Sequence, residues 1–246
     1  LTGHVVNTGL IEVPFGTTLN EIIFDIGGGV TYRGKAANRS KFKAVQIGGP
    51  SGGCLSEKYL DLPLDFDSLQ SIGAMVGSGG LVVMNADTCI VKMAHFFMQF
   101  TQNESCGKCV LCREGTYQLL QLLEDIIEGR ATKHTLTLLE QLASAVKKGS
   151  LCGLGKTAPN PILSMLKEFR EEFEEHVFEH KCRANKCKQF LKPAISQELC
   201  RGCGVCILSC PVNAIIGSPK QPHKIDEEKC IKCGACITAC KLEAVA

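Results

Sequence analysis

The pattern of apolar and polar positions divides the chain into three stretches with different periods. Over residues 1–85, apolar residues fall in short runs between glycines and never sustain a helical spacing. His4–Val6 and Leu10–Val13 predict two short strands about an Asn7-Thr8-Gly9 turn, and Lys43–Ile47 and Leu81–Met84 predict further strands. Leu19, Ile22, Ile23 and Ile26 share one helical face, with Thr17 or Thr18 as the cap and Gly27-Gly28-Gly29 as the stop. A hairpin, a helix and returning strands describe a small β-grasp domain.

From residue 86 to 181 the period lengthens to that of a helix. Ile90, Met93, Ala94, Phe97 and then Phe100 or Thr101 mark a first helix capped by Asp87. Tyr117, Leu120, Leu123, Ile126 and Ile127 mark a second, ended by Gly129. Leu136, Leu139, Leu142, Ala143 and Val146 mark a third, closed by Lys147, Lys148 and Gly149, with cations at the negative end of the helix. Asn160 caps a fourth, with Pro161 in its first turn and Ile162, Leu166, Phe169, Phe173 and Val177 as its apolar stripe. Four such helices with short connections predict an up-down-up-down bundle. The period is lost again over residues 182–246, a linker and a third domain, so the expected fold class is α+β multidomain.

Composition narrows the setting. A charged fraction of 21% and a net charge of +2 describe an ordinary globular chain without the basic excess of a nucleic-acid binder. No apolar run approaches the length of a membrane span, and no signal peptide opens the chain. Leu1 falls inside an expected strand, which makes the chain the expected C-terminal part of a longer polypeptide. Sixteen cysteines would suit a disulfide scaffold only in a short secreted chain, and their spacing argues instead for a reducing, cytoplasmic compartment.

Eight of those cysteines form two copies of C-x2-C-x2-C-x3-C: Cys200, Cys203, Cys206, Cys210, and then Cys230, Cys233, Cys236, Cys240. This run holds cubane [4Fe–4S] clusters, and in two-cluster ferredoxins the fourth cysteine of each run ligates the other cluster. The expected sets are Cys200, Cys203, Cys206 with Cys240, and Cys230, Cys233, Cys236 with Cys210. A third set stands between the helices. Cys106, Cys109 and Cys112 lie between the first and second, and Cys152 between the third and fourth. In an up-down bundle those two connections share an end, so four sulfurs can converge on a third [4Fe–4S] cluster, with a zinc ribbon as the alternative.

At these residues the chain resembles a known family. ESCGKCVLCREG, the gap to SLCGLG and the helix that follows resemble the NADH-binding, flavin-bearing subunit of bacterial respiratory complex I, and equally the β subunit of NADH-dependent, electron-bifurcating [FeFe]-hydrogenases. GHVVNTGLIEVPFGTTL and the GGPSGG at 48–53 resemble the SLBB β-grasp domain of that family, and the doubled cysteine tail favours the hydrogenase branch. The resemblance implies FMN and NAD(H) bound in a domain upstream of Leu1, because the glycine clusters here lack the dinucleotide fingerprint and read as turns. It also implies that Gly153 and Leu154 face the flavin. The implied function is electron relay between that flavin, partner-subunit clusters and ferredoxin. The implied partners are a catalytic subunit and a small [2Fe–2S] subunit, and no residue of this chain acts as acid, base or nucleophile. An NAD-dependent formate dehydrogenase subunit, an Rnf-like subunit and a non-redox zinc-bearing scaffold are the alternatives.

Cys54, Cys89, Cys182 and Cys187 remain. Cys182 and Cys187 form a C-x4-C knuckle beside His176 and His180. The start of the first helix and the end of the fourth share an end of the bundle, which adds Cys89. The expected zinc site is Cys89, His176, Cys182 and Cys187, with His180 as rival to His176 and ordinary buried thiols as the alternative. Cys54 is expected to be buried, and His4, His95, His134 and His223 to be surface residues.

Overall fold

The computed structural model describes residues 1–191 and 193–245. The chain forms two compact units, Leu1–Ala184 and a second from Asn185 onward.

In the first unit, strands β1 (Thr2–Gly3), β2 (Val30–Tyr32), β3 (Lys35–Ala37), β4 (Phe42–Ile47), β5 (Gly53–Ser56) and β6 (Leu81–Asn85) precede the long helices, with a short helix α1 (Phe66–Ser71) before β6. Four of these strands make a sheet in the order β1-β6-β4-β5, in which β1 lies parallel to β6 and the other pairs are antiparallel. Strands β2 and β3 make a separate hairpin.

The expected N-terminal hairpin does not form. The chain enters the sheet at β1, Val5 bridges to Val30, and Leu10 is fully exposed. Backbone bonds from Asn7 to Gly27 and from Gly9 to Leu1 occupy the Asn7-Thr8-Gly9 segment instead. The helix that follows Thr18 takes π geometry over Glu21–Ile26 and buries Ile22 and Ile23. Of the two cap candidates, Thr18 forms a reciprocal pair with Glu21: Glu21 N–H donates to Thr18 Oγ1 (3.2 Å), and Thr18 N–H to Glu21 Oε2 (2.8 Å).

The helical layer comprises α2 (Ile90–Asn103), α3 (Val110–Ile127), α4 (Thr135–Gly149), α5 (Gly153–Thr157), α6 (Asn160–Glu168) and α7 (Arg170–Glu174). Helix α3 packs against α2 and α4, and α6 packs against the same two from the other side. The buried faces follow helical spacing: Ile90, Ala94, Phe97 and Thr101 on α2, and Leu136, Leu139, Ala143 and Val146 on α4.

Three helix boundaries depart from expectation. Cys89, not Asp87, occupies the N-cap of α2; Asp87 lies two residues before it, with its carboxylate 3.9 Å from Arg33. The fourth expected helix is interrupted at Phe169 (φ −134°, ψ 35°) and resumes as α7 and a π turn over Glu175–Glu179. Asn160 stands inside α6 rather than capping it, and accepts a hydrogen bond from Lys147 Nζ at 2.8 Å.

Two buried carboxylates from this interrupted helix tie it to the sheet. Glu168 accepts from Ser56 Oγ (2.7 Å) and pairs with Lys58 (2.8 Å). Glu172, 2% exposed, pairs with Lys43 of β4 at 2.7 Å. Lys43 also donates to the carbonyl of Thr88, immediately before α2. The register of sheet on helices is therefore set at both ends of the contact by charge-assisted bonds.

The second unit carries α8 (Val205–Ser209), β7 (Ile215–Ile216), β8 (Lys224–Ile225) and α9 (Ala235–Ala239), with β7 antiparallel to β8 and Ile195 bridging to Val245. Its small core consists of Cys206, Ile215, Cys236 and Val245. No helix among the described residues is long and apolar enough to cross a membrane.

Candidate metal centres

The loop after α2 and the loop after α4 meet. Cys109 caps α3 and Cys152 caps α5. The backbone N–H of Leu151, in the second loop, bonds the Cys109 sulfur in the first and holds that thiol below its usual value, with the Cys112 backbone adding to the effect. Burial pushes the Cys112 thiol up, against a 3.4 Å contact with Ser105 Oγ, and the charges of Cys109, Cys152 and Cys106 raise it further. Those influences place the sulfurs of Cys106, Cys109 and Cys152 in the neighbourhood of Cys112. Gly155 is required there: a Cβ on it would come within 3.1 Å of the Cβ of Cys112 and meet Ser150. Cys106 and Cys152 are exposed, as is Leu151 beside them, while Cys112 is buried. Gly153 opens α5 with free space where a side chain would stand, and Leu154 next to it is half-buried.

A second group lies at the opposite end of α2. Cys89 Sγ is 3.4 Å from His176 Nε2, and Cys182 also bonds the His176 ring. These three residues are 4% exposed or less. His176 Nδ1 donates to the carbonyl of Glu172 at 2.6 Å, which leaves Nε2 turned to the sulfurs. A backbone carbonyl holding one ring nitrogen while the other faces thiols is the orientation of a metal-ligating histidine. Burial works against charge on the ring, yet Cys182 and Cys89 outweigh it and push the pKa to about 10. The sulfurs thus favour positive charge at Nε2, where a proton and a metal ion would compete. His180 lies exposed at a left-handed residue ending the π turn, and Cys187, the second member of the C-x4-C knuckle, is fully buried just past the unit boundary. Cys54 is buried in β5 with its thiol pushed well up by burial, and its N–H donates to Ser164 Oγ at 2.9 Å.

In the second unit the eight cysteines line two cavities. One is bordered by Cys200, Cys203, Cys206 and Cys240. The other is bordered by Cys230, Cys233, Cys236 and Cys210. Each cavity thus takes three sulfurs from one run and the fourth from the other. Four thiols about a small apolar-walled space suit an iron–sulfur cubane. Sequence reasoning placed His223 at the surface; it is 1% exposed, with Nδ1 3.5 Å from Cys206 Sγ. The β7–β8 pairing turns it inward, which its isolated position in the sequence did not reveal. The buried Lys43–Glu172 pair was also unforeseen, since nothing in the local pattern of either segment marks a partner more than a hundred residues away.

Comparison with known proteins agrees with this chemistry. Residues 92–176 match the NADH-ubiquinone oxidoreductase-F iron-sulfur binding region, and residues 192–241 match the 4Fe-4S dicluster domain. The chain is 49% identical over 223 residues to the NADP-reducing hydrogenase subunit HndC of Solidesulfovibrio fructosivorans, covering 91% of this chain and 44% of that one. It is 39% identical over 188 residues to the F subunit of the NADH-quinone oxidoreductase of Streptomyces coelicolor, covering 76% and 40%. The crystal structure of an air-oxidized NAD+-reducing [NiFe]-hydrogenase matches with a TM-score of 0.61 at 30% identity, over 71% of this chain and 28% of that one. The chain therefore spans less than half the length of these relatives. It is a mixed α/β iron–sulfur protein of the [4Fe–4S] type, homologous to the hydrogenase subunit HndC and to the C-terminal region of the F subunit of NADH-quinone oxidoreductase.

Proposed function

We propose that this chain is the electron-transfer portion of a multisubunit NADH- and ferredoxin-linked oxidoreductase, a hydrogenase of the electron-bifurcating kind. The observation that carries the reading is the joining, in one chain, of the converging Cys106, Cys109, Cys112 and Cys152 to two four-cysteine cavities in the tail. The 49% identity to a hydrogenase subunit supports the choice among oxidoreductases. Three [4Fe–4S] clusters would be held, and they supply one-electron transfer. The protein sets their distance, potential and access.

In domain terms, residues 1–85 are an SLBB-like β-grasp domain, 86–181 a four-helix bundle bearing one cluster, and 182–246 a linker and a two-cluster ferredoxin-like domain. FMN and NAD(H) belong to an upstream domain, and Gly153 and Leu154 form the rim that meets the flavin. Their place beside exposed Cys152 and Leu151 supports that role. A catalytic subunit, a small [2Fe–2S] subunit and ferredoxin are the partners.

Zinc is the proposed occupant of the buried group, held by Cys89, His176 and Cys182. Cys187, five positions along the chain from Cys182, is the fourth ligand. Three thiolates and an imidazole satisfy tetrahedral zinc, and the buried setting suits a structural ion.

The test is anaerobic addition of NADH to the full-length, flavin-loaded protein while following the clusters by EPR. The proposal expects cluster signals to grow in, and expects Cys152→Ser to stop electrons before they reach the tail. NADH that reduces the flavin and no cluster would overturn it.

A further inference from the structure

The second unit is built twice. The step along the chain that carries Cys200 to Cys230 also carries Ile195 to Ile225 and Ala214 to Ala244. The backbone repeats with it. Ser196 N–H donates to Ala244 O at 2.8 Å, and Asp226 N–H to Ala214 O at 2.7 Å. Gly204 and Gly234 precede α8 and α9 with matching left-handed φ of 77° and 75°.

Two lining positions break the symmetry chemically: Arg201 of one cavity answers to Ile231 of the other, and at the second position a histidine ring lies directly against a cysteine sulfur. The same step that relates the cysteines relates Pro193 to His223. His223 lines the cavity of Cys200, Cys203, Cys206 and Cys240, and Pro193 lines the cavity of Cys230, Cys233, Cys236 and Cys210. Proline has no N–H to offer from backbone or side chain. Histidine has at least one.

The ring of His223 is held with Nδ1 beside sulfur. It is 1% exposed, its Nδ1 is 3.5 Å from Cys206 Sγ, and its Nε2 is buried with no hydrogen-bond partner among the described residues. A Cβ at Gly217 would collide with ring atom Cδ2, so only glycine there lets the ring lie against the backbone. Gln197 Nε2 donates to the His223 carbonyl at 3.1 Å and anchors the residue from behind. A cysteine sulfur bound to iron carries no proton and can only accept. The contact to an iron-bound Cys206 sulfur is therefore one in which Nδ1 carries the N–H and donates it.

We propose that His223 is a positioning residue that sets potential: its Nδ1–H donates to Cys206 and makes the Cys200/Cys203/Cys206/Cys240 cluster the more easily reduced of the tail's two. Reduction adds negative charge that spreads onto the ligating sulfurs, so a donor to sulfur stabilises the reduced state more than the oxidised one. The cluster beside Pro193 has no such side-chain donor. An electron entering the tail would accordingly rest on the cluster beside His223. This inference deepens the functional reading above and rests on the tail holding two cubanes.

The test compares unaltered, His223→Leu and His223→Gln forms of the full-length, cluster-loaded protein by iron analysis and an EPR-monitored redox titration. His223→Leu is expected to shift the reduction of one tail cluster by roughly tenfold toward the oxidised state, about 59 mV for a one-electron couple, with the other unmoved. His223→Gln, which keeps an N–H donor, is expected to restore most of that shift. In unaltered protein grown with 15N-histidine, the more easily reduced tail cluster is expected to show hyperfine coupling to an imidazole nitrogen. Full iron content with unchanged potentials in His223→Leu would overturn the inference. So would a His223→Gln shift as large as that of leucine, or absent 15N coupling in the unaltered protein, which requires no variant to fold. Tail iron missing from the unaltered protein would instead overturn the two-cluster reading beneath it, and the iron count alone separates the two failures.

Discussion

Beyond the C-terminal end of α2, Cys106 and Cys152 face solvent, while at its N-terminal end Cys89, His176 and Cys182 are 4% exposed or less. The same helix thus carries sulfur in two settings. The open site has its ligands on loops that cap α3 and α5, with exposed Leu151 at its rim. The closed one has a histidine locked by a backbone carbonyl and a buried ion pair beside it. An electron carrier must be approached by a donor, because its function is exchange with something outside. A structural ion needs the reverse, since water and competing ligands weaken it. Open sulfur for exchange and closed sulfur for holding is the division of labour that the proposed function draws from this contrast.

The largest expected effect is at the open end. Cys152→Ser should remove about four of about twelve irons per chain, leaving the tail loaded, as measured by iron analysis of the purified anaerobic protein. A variant that lost all its iron would show that the open site also supports the fold, and the contrast would fail. At the closed end, Lys43→Ala should destabilise the first unit by ~3–5 kcal/mol in denaturant unfolding, because it strands the Glu172 carboxylate. Replacing both partners, Lys43→Met with Glu172→Leu, should recover most of that loss.

Cys182→Ser should abolish zinc binding while leaving iron content unchanged, measured by metal analysis of one sample. Unchanged zinc would refute the metal assignment of the closed site. The smallest effect concerns pH. Burial works to raise the Glu168 carboxyl, but Lys58 and Ser56 overcome it and hold it below its ordinary value. The stability this contributes is present above the unfolded carboxyl's value and is lost as pH falls through the lower folded one. Because Lys58 is 57% exposed, the contribution should be only ~1 kcal/mol, and Glu168→Gln should flatten that part of the acid unfolding curve.

The grouping of the tail cysteines was legible in the sequence because their spacing is a local property, and the exchange of Cys210 and Cys240 between the two cavities follows the two runs. The buried stripes of α2 and α4 were legible for the same reason. What escaped depended on distant partners. The first strand joins β6 in parallel, Thr2 against Val82, so no turn signal near Asn7 could announce it. The hairpin of β2 and β3 turns through Arg33 and Gly34, both with positive φ, and arginine is not a residue that advertises such a turn. Strand β5 was hidden among glycines read as turns. Asp87 was expected as the cap, but the helix begins two residues later, behind Cys89. His223 looked isolated because its meaning lies in the repeat, opposite Pro193, and not in its neighbours.

The central claim is that one chain holds an open cluster site and a two-cluster tail in a single relay. Iron and acid-labile sulfide, measured together on the anaerobically reconstituted protein, test it most directly. The account predicts about twelve of each per chain, from three cubanes with four thiolate ligands apiece. About eight would remove the open site from the relay, and none would contradict the account altogether.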